Sequence, residues 1–589
     1  MLAILASALS VAGCVTIPNG GPVISDPVTQ GANAQNQPYP QLIPKPPVPG
    51  GSPADIVRGF LTASASFADG KQVARDFLTP AASRSWHPTW SATVFKGGDG
   101  PEVSQPDYSS SGNQKSATVT VSGKIQAELS VYGAYAVPSV AGGNVTSITF
   151  VLVRTGGQWR ISSLPSDQLL LTSTEFAADY QLRNLYFLDP SSRFLVPDPV
   201  YVPQQTTPSN LLNGLVHDLI SHPGDWLRDG TRTAFPPGTT LLSDVTVNGG
   251  AAEVNLGGAA VRASDRQREL MSAQLLSTLS GSGQGQPPIQ SVELDVNGKP
   301  WSPPQAQQNP VQNTAVLGVP DGHSSAFYYL DGQGTLMRQP ADGSSPVRVG
   351  RLGPGYSAIA VSRDGRYLAA LRGGTLYTGP ISGTLLPRAG SGYTTMSWDA
   401  SGQLWATAHG QVVMLRGEVA GGTASSLAAP RPVSVVQPDG LRETFPVNEI
   451  RVAPDGVRVA FIFGGLTEIL AFGAITAPDA SPAAPPQIRL SPFIVSGGSS
   501  GFTSVSWYGA GNVVTIGAVP GATGPPLTEY SVSGASTTGI PTEPGIQSIA
   551  TSAGGALVAG TKDGELLLNP SAGGTWAPLA GGTAPAYPG

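Results

Sequence analysis

Residues 356–371, YSAIAVSRDGRYLAAL, decide the fold. Two short apolar runs, 358–361 and 367–371, flank Ser362-Arg363-Asp364-Gly365, so the stretch reads as two antiparallel strands joined by an Asp-Gly turn. The pattern returns as YTTMSWDASGQLWAT from Tyr393, VNEIRVAPDGVRVAFIF from Val447, FTSVSWYGAGNVVTIG from Phe502 and IQSIATSAGGALVAGT from Ile546. Its turn glycines, Gly365, Gly402, Gly456, Gly511 and Gly555, recur at intervals of 37 to 55 residues. A degenerate copy, LGVPDGHSSAFYYL, precedes them from Leu317, and a further strand-like run follows each copy: GTLMRQ, GTLYTG, GQVVML, EILAFG, LTEYSVS and GELLLN. Units of about 40–50 residues with about four strands each are propeller blades. A blade buries its faces only against neighbours, so the array must close into a ring. The expectation for residues 311–589 is an all-β propeller of six blades, with a seventh possible in the long intervals around Pro430 and Ala480.

Upstream, residues 180–302 read as an α+β domain. A helix opens at Pro208 after Thr207 and carries Leu212, Leu215, Val216 and Leu219 on one face. Strands over 241–247 and 252–256 meet at the hairpin Asn248-Gly249-Gly250. A capping box, Ser264-Asp265-Arg266-Gln267, starts a second helix with Met271, Leu275 and Leu279, and a strand over 291–296 ends in Asn297-Gly298-Lys299. Residues 53–168 give another α+β pattern. Ile56, Val57, Phe60 and Leu61 have helical spacing, a second helical stretch covers 73–78, and strands follow over 117–121, 124–132 and 147–154. Thr155-Gly156-Gly157-Gln158 turns the last of these into Trp159-Arg160-Ile161, and Val151, Val153, Trp159 and Ile161 are expected to share one buried face of an antiparallel sheet. Trp86, His87 and Trp90 either line a pocket there or pack in the core, and burial statistics favour the core.

The N-terminus reads as an address. Residues 1–13, MLAILASALSVAG, are apolar or small and too short to span a bilayer, which takes about 20 apolar residues. They have the length of a signal-peptide core, and Val11-Ala12-Gly13-Cys14 follows the bacterial lipobox pattern. Cys14 is therefore the expected lipidation site, carrying an S-diacylglycerol and an N-acyl chain, which together give stable anchoring where one chain would not. No Lys or Arg precedes the apolar run, as expected if the start codon has been assigned downstream of the true one. Residues 14–52 are rich in Pro, Gly, Asn and Gln and read as a disordered tether.

Composition narrows the chemistry. Net charge is −6 with pI near 5.4, which leaves no basic footprint for nucleic acid. Gly (75) and Pro (55) are too frequent for a helical bundle, and charged residues are 12%, against roughly 25% in ordinary soluble proteins. The single cysteine excludes an intramolecular disulfide or a cysteine-rich metal site. Among the five histidines, His87, His217, His222, His323 and His409, the spacing of His217 and His222 misses that of a helical zinc pair. Gly281-Ser282-Gly283-Gln284-Gly285 lacks the strand that a dinucleotide fingerprint requires, and Gly497-Gly498-Ser499-Ser500-Gly501 leads into a strand where a nucleophile elbow leads into a helix. Asp364 and Asp455 occupy equivalent repeat turns, where a structural role is expected. The expectation is a protein without catalytic residues, cofactor or metal.

Several stretches resemble known families. The turn S-x-D-G-x-x-L-A at Ser362 is similar to that of TolB and other envelope propellers. VTVNGGAAEVNL, a helix, then VELDVNGKPW resembles the GerMN domain of sporulation and envelope proteins, and residues 53–168 resemble nuclear-transport-factor-like cones. The whole order of lipobox, Pro-rich tether, α+β domain, GerMN-like domain and propeller resembles the actinobacterial lipoprotein family LpqB. That resemblance implies a protein lipid-anchored on the extracytoplasmic face of the cell membrane. It implies contact with the ectodomain of an MtrB-type sensor histidine kinase of the MtrAB two-component system, with effects on cell-wall homeostasis and division. The alternative is a cell-wall glycan or peptide receptor with no kinase partner.

Overall fold

The computed structural model describes residues 44–589 except 67–70, 90, 98–99, 109–115, 138–144, 166, 205–207, 281–288, 302–325, 383–385, 416–429, 437–445, 465–468, 477–485, 497–500, 518–525, 535–536, 553–554 and 572. The repeats build six sheets. Blade 2 runs from strand Ala358–Val361 to Arg388–Ser391, blade 3 from Tyr393–Trp398 to Arg431–Pro432, blade 5 from Phe502–Tyr508 to Thr537–Ile540, and blade 6 from Ile546–Thr551 to Ala577–Gly581. Each is four antiparallel strands in chain order. Blade 4 starts at Val447–Val452 and ends at Gln487–Ser496, against which Ser434–Val436 adds a fifth, parallel strand. The long intervals thus yield an extra strand, and no seventh blade appears among the described residues.

Blade 1 departs from the repeat. Phe327–Leu330, Thr335–Gln339 and Val347–Arg351 supply three strands, and the fourth, Thr583–Ala586, comes from the C-terminus. That strand lies in the innermost position, with Tyr328 opposite Ala586 and Leu330 opposite Thr583. The copy expected from Leu317 therefore begins at its second strand, and residues 317–325 lie outside the described set. Closure by the last strand joins the two ends of the array through backbone hydrogen bonds, so Phe327–Leu330 is not left as an edge strand.

The first α+β region holds helices α1 (Pro53–Ala65), α2 (Gln72–Arg75) and α3 (Pro80–Ser85) against a curved sheet. Ser52 and Asp55 cap α1 reciprocally, which fixes where the chain enters the fold. The sheet order is Gln158–Ser163, Val145–Thr155, Ser116–Leu129, Ala92–Phe95, Leu169–Thr172. Three expectations change here. The runs 117–121 and 124–132 are one strand, Ser116–Leu129, in which Gly123 packs under Phe95 without breaking the ladder. The sheet is mixed, because Leu169–Thr172 pairs in parallel with Ala92–Phe95 and carries the region past residue 168. The buried face is Phe150, Leu152, Trp159 and Ile161, whereas Val151 is 37% exposed. Leu152 and Phe150 lie opposite Ala117 and Val119, and the turn at Gly156-Gly157 pairs Thr155 with Gln158, so that Leu152 rather than Val151 or Val153 lies opposite Ile161.

After α4 (Ser173–Asp179) comes a two-stranded hairpin, Tyr180–Leu188 with Leu195–Pro203, followed by the GerMN-like layer. Helices α5 (Pro208–Ser221) and α6 (Asp265–Ser280) cover a five-stranded sheet whose centre pairs Ala251–Gly258 in parallel with Ser291–Val296. The apolar stripe is as the spacing predicts: Leu215, Val216, Leu219, Met271, Leu275 and Leu279 are all fully buried. Ser264 and Gln267 close the capping box of α6. The strand expected over 241–247 divides into Thr239–Leu241 and Thr246–Asn248.

Candidate functional site

Cys14 and Val11-Ala12-Gly13 lie outside the described residues, as do Trp90, His323, the run Gly281-Ser282-Gly283-Gln284-Gly285, and Gly497 to Ser500 of the G-x-S-x-G match. Trp86 is 2% exposed, packs on Phe60 at 5.3 Å between ring centroids and lies under the Arg75 guanidinium, while His87 is exposed. Trp86, Phe60 and Phe150 enclose a hollow of about 10 Å³, room for about one water. His217 pairs with Asp218 at 3.4 Å and His222 meets the Tyr132 ring edge-on at 5.1 Å, so the two imidazoles serve different neighbours. His409 sits in a turn at φ 51°. Asp364 and Asp455 each accept backbone N–H groups of their own turns. Among the described residues no group of three or more His, Cys, Asp or Glu could hold a metal ion.

The most heavily built polar environment lies where the regions meet. Residues 41–589 form one unit. One apolar cluster in it takes Tyr135 and Phe176 from the first α+β region, Val196 and Tyr201 from the hairpin, and Trp226 and Leu227 from the loop after α5. Ala453, Val457, Trp507 and Val532 complete it from blades 4 and 5. Arg363, Val457 and Ser533 of this seat lie in turns that join first to second or third to fourth strands of their blades. Tyr201 Oη and Ser533 Oγ are 2.8 Å apart, Arg489 Nη2 lies 2.9 Å from Asp229 Oδ2, and the Arg363 guanidinium covers Phe194 at 4.3 Å.

Strand Leu195–Pro203 is buried at all nine positions, because it is covered on both sides. Asp198 in its middle is 3% exposed and accepts a hydrogen bond from the Gly224 N–H at 2.6 Å. Burial pushes its carboxyl from the ordinary 3.8 up to about 6, although Gly224, the Trp226 indole, Arg458 and His222 each hold it down. Across the seat, Arg458 donates from Nε to Asp455 Oδ2 at 2.6 Å and lies over the Trp507 ring at 4.9 Å. Its Nη1 is buried with no hydrogen-bond partner. A smaller buried pair lies in the first region. Lys71 donates to the Ser64 carbonyl at 2.7 Å, and burial pushes its amine down to about 8 while nearby Asp179 is pushed up to about 6, first by burial and then by Glu175. That amine closes the end of α1 and is committed to structure. Asp198, Tyr201 and Arg458 were not singled out from the sequence; the signal there was a carboxylate inside the apolar run FLVPDPVYV.

The opposite side of the ring carries an open depression of about 290 Å³ at the closure seam. Its walls are mostly bare backbone, from Gly332, Gly334, Gly353, Gly355, Gly564, Gly581 and Gly582, with Asp331, Tyr356 and Thr583 as polar side chains. Tyr356 is backed by Arg372 at 5.1 Å, which also lies over Tyr377.

Comparison with known proteins assigns all three regions. Residues 46–177 match the family described as Lipoprotein LpqB, N-terminal domain, residues 184–302 match Sporulation and spore germination, and residues 334–588 match Lipoprotein LpqB beta-propeller domain. A Lipoprotein LpqB of Thermobifida fusca is 28% identical, over 99% of this chain and 97% of its own. One of Mycobacterium tuberculosis is 27% identical, over 77% of this chain and 76% of its own. Among solved structures, TolB from Acinetobacter baumannii aligns over 46% of this chain and 69% of its own at 16% identity, with a TM-score of 0.32. No helix among the described residues is long and apolar enough to cross a membrane.

Proposed function

The chain belongs to the lipoprotein LpqB family, and on that premise we propose that it is a membrane-anchored extracytoplasmic accessory protein that binds and modulates an MtrB-type sensor histidine kinase without catalytic turnover. The observation that carries this reading is the domain order, matched along nearly the whole chain. Cys14 is the anchor. From Cys14 to residue 44 the chain reaches at most about 100 Å at roughly 3.4 Å per residue, which confines the folded part near the membrane. A contact of about 10 μM is worth roughly 7 kcal/mol, and a millimolar effective concentration keeps it mostly occupied. The ring face opposite the seat is the contact surface in this reading, because the seat face is already covered. Modulation of the kinase is expected to affect cell-wall homeostasis and division.

The test compares kinase output in cells with wild-type protein, with an exported Cys14→Ala variant, and with none. Loss of regulation on deletion and weakened regulation on release from the membrane are expected. Unchanged output on deletion ends the kinase reading. The glycine-walled depression beside Tyr356 and Asp331 favours a second reading, a receptor for cell-wall glycan or peptide, in which the same face binds a ligand and no kinase is involved.

A further inference from the structure

The depression at the closure seam is framed by two turns that join second to third strands, residues 331–334 in blade 1 and the turn at Gly564 in blade 6. The links that leave the outer strands of the same two blades, residues 353–356 and 581–583, complete it. Some of its glycines serve the fold. Gly334, Gly353 and Gly564 have φ of 72°, 86° and 78°, and a Cβ at Gly582 would meet the Tyr329 ring at 2.6 Å. Gly332 and Gly581 do not. Neither has a positive φ, and a Cβ meets nothing within 4 Å at Gly332 and only Gly564 O at 4.0 Å at Gly581. What the absent side chains keep free is the depression itself.

The walls also carry open polar groups. The peptide N–H and C=O of Gly332, in the turn, and of Gly355, in the link, bond to no other group among the described residues. Asp331 spends Oδ1 on the N–H groups of Gln333 and Thr335, both at 2.8 Å. No ion pair forms at this carboxylate among the described residues, and Arg348 acts on it only from beyond ion-pair distance. Tyr356 is fixed by Arg372, 5.1 Å from the ring centre, and by Tyr377, edge to face at 5.6 Å. A wall ordered before binding lowers the cost of binding. Bare peptide groups at glycine suit the close approach of a second backbone. A sugar ring stacks on an open aromatic face, and Arg372 already covers one face of Tyr356. A carboxylate without an ion pair selects a cation, and a free amine would give it a charge-assisted hydrogen bond. At about 290 Å³ the depression is at the small end of ligand sites, roughly 300–1,000 Å³, so it takes an end or a side chain of a peptide.

We propose that this depression binds a peptide through a free primary amine, with the ammonium on Asp331, the adjoining peptide group on Gly332 and Gly355, and the neighbouring side chain against Tyr356. The inference rests on the receptor reading and deepens it, naming peptide over glycan.

Saturation-transfer NMR observing the ligand tests it on the full chain carrying Cys14→Ala, with trialanine, N-acetyl-trialanine and chitotetraose as probes. Trialanine should bind with a Kd on the order of 1 mM, at least about tenfold more tightly than its acetylated form. Asp331→Asn, which keeps Oδ1 for its own turn, should abolish that preference. Gly581→Leu should weaken trialanine at least about tenfold by filling the depression, with the thermal midpoint unchanged. Saturable transfer to chitotetraose and none to trialanine overturns the peptide while leaving the receptor reading in place. No transfer to any probe removes both, and neither outcome needs a variant to fold. Equal binding of the two peptides, or a preference that survives Asp331→Asn, overturns the assignment of the amine. Unchanged binding in Gly581→Leu places the peptide elsewhere and overturns the site.

Discussion

The two faces of the propeller obey different rules. On the seat face side chains interlock: Arg458 and Asp455 are 3% and 2% exposed, Tyr201 reaches Ser533, and Gly230 lies so close to blade 4 that a Cβ there would meet the Ile475 carbonyl at 2.5 Å. On the opposite face the walls are backbone: a Cβ at Gly332 meets nothing within 4 Å and one at Gly581 meets only Gly564 O at 4.0 Å, although Gly334 and Gly582 pack closely on Gly353 and Tyr329 of their own blade. One face is built to hold a known neighbour, and the other is left accessible. The same turn type shows the contrast in miniature. Asp455 is sealed under the seat, whereas Asp364, its counterpart in blade 2, is 51% exposed and lies 3.8 Å from the Arg366 guanidinium.

Asp455→Ala should give the largest effect. It leaves Arg458 charged and buried, a loss of about 3–5 kcal/mol, visible as a lower urea midpoint, whereas Asp364→Ala should cost under about 1 kcal/mol. Equal losses at the two turns would erase the distinction between the faces. Next comes Gly230→Ala, expected to cost about 1–3 kcal/mol by overpacking against Ile475 and to lower the thermal midpoint, while Gly581→Ala leaves it within error. Tyr201→Phe removes one hydroxyl from the seat. Ser533 keeps Ser531 as a partner at 2.7 Å, so the expected loss is about 0.5–1.5 kcal/mol by chemical denaturation. Smallest is Arg489→Ala. Both members of its pair are partly exposed, at 39% and 49%, so it should cost under about 1 kcal/mol and the difference should vanish at high salt.

Much of the fold was legible because its determinants are local. Asp-Gly turns, Asn248-Gly249-Gly250 and the Ser264–Gln267 capping box each announce their geometry within four residues, and the ring follows from repeating one of them. What was not legible depends on distant partners. The hairpin strand Leu195–Pro203 carries Pro197, Pro199 and Pro203, which argue against a strand, yet it pairs on one edge only and needs no donor on the other. The closing strand Thr583–Ala586 reads as a Pro-rich tail until Phe327–Leu330 is placed beside it. The faces of Val145–Thr155 were exchanged because Phe150 and Val151 are both apolar, and only the register against Ser116–Leu129 separates them. Asp198 and Arg458 are 260 residues apart, so no motif could join them.

The measurement that tests the account most directly is binding of the full chain carrying Cys14→Ala to a purified MtrB-type sensor ectodomain, by calorimetry at physiological salt. The account predicts a Kd of about 10 μM. It also predicts at least a tenfold weakening by Lys562→Glu with Asp563→Lys in the blade 6 turn on the open face, and no change with Arg489→Ala on the seat face. No binding by the unmutated ectodomain pair, or a loss confined to the seat variant, would contradict it.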